Sequence, residues 1–194
     1  MGKLTTLSLL WISIPSILAL SLEPLAEIVD TAFLGYFSSS WVACLAATNS
    51  FLSASVWIFG FFTYGVTSTV SQLVGSDGNK ENISKQILNY LCLAFLCGGV
   101  VALSLLLLEG VLFASVLGLS DELILILKPY WHVRVLGLPF ILTSFVLMGS
   151  LRGLQKYYYT LYISLVITIS NIGLTYIGLF YFKGGIRAAA LGTV

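Results

Sequence analysis

The stretch Leu20–Gly35, LSLEPLAEIVDTAFLG, decides how the rest of the chain is interpreted. It places Glu23, Glu27 and Asp30 in the first long apolar run of a sequence that otherwise avoids charge. On a helix, the i, i+4 and i+7 spacing of these acids confines them to an arc of about 60°. An acid at the centre of a membrane helix costs about 2.5–3.5 kcal/mol, so it is kept where its face lines water or finds a partner. The stretch therefore predicts a membrane helix with one functional face.

The composition supports a membrane protein. Of the 194 residues, 58% are hydrophobic and 9% are charged, whereas a soluble domain carries about 25% charged residues. The mean hydropathy is +1.01. The net charge of +1 leaves no basic face for nucleic acid. We therefore predict an all-α, polytopic transmembrane helix bundle whose main surroundings are the lipid bilayer.

Runs of about 20 apolar residues mark the membrane spans. The predicted spans are approximately residues 7–37, 42–73, 83–108, 123–151 and 157–182, with 186–194 as the start of a sixth. Turn residues such as those of GSDGNKEN at 75–82 separate them. Because the sixth helix is cut short, we expect residues 1–194 to be a fragment of a longer protein.

Lysine and arginine in short loops predict the orientation. With a cytoplasmic N-terminus, the cytoplasmic side carries Lys3, Lys80, Lys85, Arg152 and Lys156. The opposite side carries Lys128, Lys183 and Arg187, and Arg134 is expected near a membrane edge. This bias favours a multi-pass plasma (inner) membrane protein with its N-terminus in the cytoplasm.

Polar residues form stripes on two further spans. The second span carries Asn49, Ser53, Gly60, Thr63, Thr67 and Ser71 on one face. The fifth span carries Ser164, Thr168, Asn171 and Thr175 at i, i+4, i+7 and i+11. Serine and threonine in membrane helices often bond their own backbone or pack against a neighbour. The amide of Asn171 needs partners in the bilayer and is a stronger site candidate.

Pro15 and Pro24 lie inside the first span and disfavour a straight helix. A bendable helix with acids on one face is one interpretation, and a static kink for packing is the other.

The sequence lacks the motifs of an enzyme or a metal site. It contains no HExxH, GxSxG or GxxxxGK pattern. Its three cysteines, Cys44, Cys92 and Cys97, have no metal-ligand spacing, and His132 is the only histidine. Carboxylates, amides and hydroxyls suit binding of a cation or proton better than covalent catalysis, so we predict no enzyme activity and no cofactor beyond H⁺ or Na⁺.

The order of several segments resembles the multidrug and toxic compound extrusion (MATE) transporters, especially their DinF-like branch. The segments that carry the resemblance are the first-helix stretch at 14–35, GVTSTVSQLVGSDGN at 65–79, RVLGLPF at 134–140, GSLRGLQ at 149–155, SNIGLTYIGLF at 170–180 and GGIRAAALGTV at 184–194. The resemblance implies two six-helix lobes around a central cleft, of which this chain matches the N-terminal lobe. The partners it implies are the missing C-terminal lobe and a small organic substrate, often cationic, exchanged for H⁺ or Na⁺.

The resemblance also implies roles for single residues. Asp30 matches the first-helix acid that binds the coupling ion, and Pro15 matches a proline whose bend accompanies protonation. Asn171 and Thr193 match an amide and a hydroxyl in the same cluster. Thr175 departs from the DinF-like pattern, which has an acid four residues after the asparagine.

Glu27, one turn before Asp30, is a candidate to compensate for the missing acid. Pro24 is a second candidate hinge.

Two alternative functions stay open. The first is a lipid-linked oligosaccharide flippase of the same superfamily, which ranks second because the interior is acidic and Arg134 is expected at a membrane edge. The second is a non-transporting fragment or partner subunit.

Overall fold

The computed structural model describes residues 6–76, 78–116, 121–182 and 185–193, and within these ranges every regular element is helical. The predicted cytoplasmic Lys3 and the opposite Lys183 lie outside the described residues. The α-helices are α1 Thr6–Phe37, α2 Ser39–Trp57, α3 Phe61–Gly75, α4 Lys80–Leu107, α5 Glu109–Val111, α6 Asp121–Leu136, α7 Leu138–Gly153, α8 Tyr157–Tyr176 and α9 Gly185–Thr193. A 3₁₀ turn, Ile58–Gly60, joins α2 to α3, and π-helical turns occur at Leu112–Val116 and Ile177–Tyr181.

Among the described residues, three stretches are long and apolar enough to cross a bilayer: Ser39–Gly75, Lys80–Leu107 and Tyr157–Tyr181. A fourth is added if α6 and α7 are counted together, since they meet at a bend of 41°.

The first helix runs as one element of 32 residues through both of its prolines. Each proline lacks the N–H that would bond the carbonyl four residues earlier. The helix is continuous at both Pro15 and Pro24.

Short polar caps start the helices that follow loops. The Ser38 hydroxyl accepts a hydrogen bond from the Ser40 amide at 3.2 Å and starts α2 immediately after α1 ends. The Asn79 side chain accepts from the Glu81 amide at 3.3 Å at the start of α4. These caps supply partners for N–H groups that have none within the helix.

The predicted fourth span is broken, which the sequence analysis did not anticipate. Gly137 separates α6 from α7, and Pro139 follows in the first turn of α7. Proline removes a backbone donor and is tolerated at a helix start, so it terminates α6 and lets α7 begin at an angle. Arg134 therefore lies one turn from the bend, in the middle of the 121–153 stretch. The expectation that Arg134 stands near a membrane edge depends on where the bilayer lies and stays a prediction.

The buried side chains form two clusters. One joins α1, α2, α6 and α9 around large residues such as Leu34, Tyr130 and Trp131. The other joins α3, α4 and α7 around Phe62 and Leu142. Together they fix α1 beside α8 and α9, which is the arrangement that positions the candidate site.

Small residues let α4 approach α7 closely. Ala94, Gly98 and Ala102 are buried one turn apart along α4. A Cβ atom on Gly98 would lie 2.5 Å from the Pro139 Cα atom. Close approach of backbones at small residues is typical of helix packing in membranes, where burial of apolar area gives little gain.

Candidate functional site

The carboxylate of Asp30 lies in the interior of the bundle. Only 3% of the residue is exposed. Its Oδ2 atom accepts a hydrogen bond from the Thr193 hydroxyl of α9 at 3.3 Å. The same hydroxyl donates to the Ala189 carbonyl at 2.8 Å. Because a hydroxyl has a single hydrogen, Thr193 shares it between two acceptors, and the carboxylate receives the longer bond.

Three buried oxygen atoms of α1 and α8 have no partner among the described residues. Asp30 Oδ1, Thr175 Oγ1 and Asn171 Oδ1 are buried, and no hydrogen bond reaches any of them from the described residues. The Thr175 hydroxyl is close to the Asp30 carboxylate, and Asn171 is one turn earlier on the same helix. Unpaired buried polar atoms each cost about 1–3 kcal/mol. Hard cations take oxygen ligands, so this arrangement suits a small cation or a proton.

Gly192 accounts for the close approach of α9 to α8. A Cβ atom there would collide with the Thr175 hydroxyl and would lie 2.8 Å from the Thr175 backbone nitrogen. With glycine at this position, α9 comes close enough for its next residue, Thr193, to reach the acid on α1. Glycine at position 192 thus allows α1, α8 and α9 to meet at the candidate site.

Glu27 faces a different part of the molecule. It is exposed, and it lines a cavity of about 280 Å³ between α1 and α2. The lining residues of this α1–α2 cavity are Glu27, Thr31, Leu45, Ala46, Asn49, Ser50 and Ser53. The acid stripe of α1 is therefore divided: Asp30 turns into the bundle, and Glu27 turns toward α2.

The polar stripe of the second span is divided in the same way. Asn49 and Ser53 line the α1–α2 cavity. Thr67, beyond the 3₁₀ turn, donates to the Thr63 carbonyl at 2.6 Å and contacts the Gly149 carbonyl of α7 at 2.9 Å. The hydroxyls of α3 thus contribute to helix packing, and only the α2 part of the stripe lines a cavity.

Arg134 is buried beside this region, with 9% of the residue exposed. Its Nη2 atom donates to Asn49 Oδ1 at 3.2 Å, and its Nε atom has no partner among the described residues. The guanidinium is near enough to act electrostatically on Asp30 and Glu23. In the part of the chain that the structure describes, lysine or arginine pairs with an acid only at Glu109, which lies 3.5 Å from Lys128 and also forms a 2.7 Å hydrogen bond with His132. Asp30 is therefore not held in a salt bridge.

The two candidate hinges differ in their surroundings. Pro15 is buried and Pro24 is exposed. Both prolines interrupt the hydrogen bonding of α1, so both stay candidate hinges.

The structure thus brings Asp30, Thr193 and Thr175 together, places Asn171 on the same helix as Thr175, and leaves Glu27 outside this group. Sequence reasoning missed the Arg134–Asn49 pair. A signal was available, because an ionisable residue inside a span is a functional candidate by default, and the LGLP segment at 136–139 predicts a helix break directly after Arg134.

These features define a class of protein: a polytopic membrane helix bundle with a carboxylate in its interior. The chain is 28% identical over 200 residues to the uncharacterized transporter YisQ of Bacillus subtilis, covering 97% of this chain and 42% of that protein. It is 28% identical over 185 residues to a probable multidrug resistance protein NorM of Photorhabdus laumondii, covering 92% of this chain and 38% of that protein.

The fold is similar to a crystal structure of MATE in the bent conformation, with a TM-score of 0.86 and 21% identity over 95% of this chain and 41% of that one. The MatE family model matches residues 15–177. The chain belongs to the MatE family, and its fold is that of the N-terminal lobe of a MATE-type transporter. It spans about two fifths of the length of the relatives it matches.

Proposed function

We propose that this chain forms the N-terminal lobe of a secondary active exporter that exchanges H⁺ or Na⁺ for small organic compounds. The observation that carries the proposal is the surroundings of Asp30: a carboxylate that is 3% exposed and, among the described residues, has no cationic partner within ion-pair distance and faces unpaired oxygen atoms of α8. A binding proton or Na⁺ would neutralise this charge and occupy those oxygens.

The exchange depends on two shapes of the lobe that bind the ion differently, because a ligand shifts an equilibrium only through its differential affinity. With Asp30 charged, Thr193 holds α9 to α1 by its hydroxyl. With Asp30 neutral, the Thr193 hydroxyl donates only to the Ala189 carbonyl. The bond from α9 to α1 is then lost, and α1 is free to move against α8 and α9. Pro15 is the proposed site of that movement, since a proline leaves one backbone bond of the helix unmade.

The driving force is sufficient for export. When the exported compound carries no net charge, moving one coupling ion inward through 100 mV supplies about 2.3 kcal/mol, which corresponds to a roughly fifty-fold gradient of that compound. One exchangeable charge at Asp30 therefore supports export without a second carboxylate at the position of Thr175.

Replacing Asp30 by asparagine tests the proposal. In vesicles containing the full-length protein, D30N is expected to abolish dye efflux driven by a pH or Na⁺ gradient, because the amide does not change charge and keeps the shape of the acid. The protein level in the membrane should remain that of the wild type. E81Q, at an exposed acid in the first turn of α4, is the control and should transport normally. Gradient-driven efflux by D30N at the wild-type rate contradicts the proposal, and separate Na⁺ and pH gradients identify the ion.

A lipid-linked oligosaccharide flippase is the second candidate, and the observation that favours it is the buried Arg134. It ranks lower because Arg134 is bound to Asn49 and because Glu27 lies on the same cavity and would repel a pyrophosphate. Equal dye efflux with and without an ion gradient, together with movement of a pyrophosphate-linked lipid between leaflets, would reverse the order.

A further inference from the structure

The α1–α2 cavity contains a hydrogen-bond donor whose direction is fixed: the side-chain amide of Asn49. Arginine can only donate, so the amide oxygen of Asn49 must face Arg134, and the two atoms lie 3.2 Å apart. The Tyr130 hydroxyl lies 3.5 Å from the same oxygen. The amide oxygen is therefore occupied, and the two N–H groups of the amide are left for the cavity that Asn49 lines.

Burial prevents this arrangement from reversing. Arg134 is 9% exposed and Tyr130 is fully buried, so neither donor has water as an alternative partner. A flipped amide would set N–H groups against a guanidinium, donor against donor. Asn49 thus presents a permanent donor to the cavity, although an isolated asparagine could present either group.

The opposite wall of the cavity has the opposite character. On α1, Glu27 contributes an exposed carboxylate and Thr31 contributes a hydroxyl. The cavity therefore offers an anion on one helix and a fixed donor on the other. Its volume of about 280 Å³ is small for a drug-sized ligand, and it fits the charged end of one.

We infer that Asn49, positioned by Arg134 and Tyr130, makes this cavity selective for organic cations that also carry a hydrogen-bond acceptor, above all a carboxylate. Glu27 binds the cationic group, and the Asn49 amide binds the acceptor. The preferred substrates are thus zwitterionic. The inference rests on the proposed exporter function, but binding is measurable without transport.

Two dyes that differ in one group test this selectivity. Rhodamine 110 is a zwitterion, and rhodamine 123 is its methyl ester and carries only the positive charge. Fluorescence polarisation with the purified full-length protein in detergent gives both affinities. Hydrogen bonds to a charged group are the stronger kind, so the wild type is expected to bind rhodamine 110 about tenfold more tightly.

The isosteric variant N49D separates donor from acceptor. Its carboxylate keeps Arg134 paired, so the fold is preserved, but the cavity loses the donor and gains a negative charge. The expected result is a loss of about tenfold for rhodamine 110 with unchanged or tighter binding of rhodamine 123. N82D, at an exposed asparagine in the first turn of α4 away from the cavity, is the control and should change neither affinity.

Two further variants keep the test decisive. E27Q, at an exposed position, should weaken both dyes equally. In R134Q, both dyes should still bind, but the ratio of their affinities should fall toward 1, because the Asn49 amide is then free to turn. R134K should keep the wild-type ratio.

The inference is overturned if the wild type binds both dyes equally, if N49D leaves the ratio unchanged, or if E27Q leaves both affinities unchanged. Ion-driven efflux by D30N at the wild-type rate would remove the proposed exchange and leave the dye selectivity standing. The two failures are therefore distinguishable.

Discussion

At the scale of single residues, the central feature is the Thr175 hydroxyl. It is fully buried, close to the Asp30 carboxylate, and without a hydrogen-bond partner among the described residues. A valine would have nearly the same shape and would avoid the cost of an unpaired buried hydroxyl. The hydroxyl thus lowers the stability of the empty lobe, and an ion bound between Thr175 and Asp30 would offset that cost.

Replacing Thr175 by valine separates stability from coupling. We expect T175V to unfold at the same temperature as the wild type or a few degrees higher, because removing the unpaired hydroxyl relieves about 1 kcal/mol or more. We also expect a lower apparent affinity for the coupling ion in gradient-driven efflux. A midpoint several degrees lower, measured in detergent by thermal unfolding, would contradict the absence of a partner for this hydroxyl.

T193V is the matched comparison. Its hydroxyl donates to both Asp30 and Ala189, so the valine leaves the carboxylate with no donor from α9. This variant should lose about 1 kcal/mol of stability as well as ion affinity.

At the scale of helices, the crossing of α4 and α7 sets how closely the bundle is packed. Gly98 faces Pro139 so closely that a Cβ atom would be 2.5 Å from its Cα atom and 3.1 Å from the Leu138 carbonyl oxygen. Backbone atoms cannot rotate away as a side chain can, so the helices themselves would have to separate. The adjacent Gly99 has nothing within 4 Å of its Cβ position.

These neighbouring glycines make a matched pair of variants. G98A is expected to destabilise the lobe by about 1–3 kcal/mol through overpacking. G99A should be neutral or stabilising by up to about 1 kcal/mol, because alanine is the better helix former. Thermal unfolding of the two purified variants beside the wild type measures the difference. Equal unfolding midpoints for G98A and G99A would show that α4 and α7 are farther apart at this crossing than the structure shows.

The helices also show why some of this arrangement is readable from sequence and some is not. The apolar runs and the Asp30 stripe are properties of one helix, so periodicity predicts them. The break at Gly137 and the burial of Arg134 depend on which helix packs against which, and the periodicity of one segment carries no such information. The same limit explains why Thr67, predicted on one face with Asn49, bonds to α7 while Asn49 faces α1. The contact between Asp30 and Thr193 came only from the family resemblance, since 163 residues separate them.

At the scale of the whole molecule, the surface has an apolar face on α4 and a polar face beside the α1–α2 cavity. Large apolar residues of α4, such as Leu96 and Val100, are 65% and 66% exposed, which is expected for a face in contact with lipid tails. Next to the α1–α2 cavity, the exposed residues are instead Glu27, Thr31 and Ser50. An acid at this depth needs water or protein beside it. We therefore propose that this face borders the central cleft, with the C-terminal lobe of the longer protein as its opposite wall.

The proposed orientation places the α1–α2 turn outside the cell and the α3–α4 loop in the cytoplasm, because α1 begins inside and each later span reverses direction. Ser39 and Ser76 are exposed residues in these two connections. Cysteines introduced at each, in a full-length background with every native cysteine, including Cys44, Cys92 and Cys97, replaced by alanine, report the side directly. In intact cells, a membrane-impermeant maleimide should label S39C and not S76C, and both should react after permeabilisation. The cysteine-free background is the control for unspecific labelling. The reverse pattern would place the N-terminus outside and would mean that the modest lysine and arginine bias is outweighed by signals elsewhere in the chain.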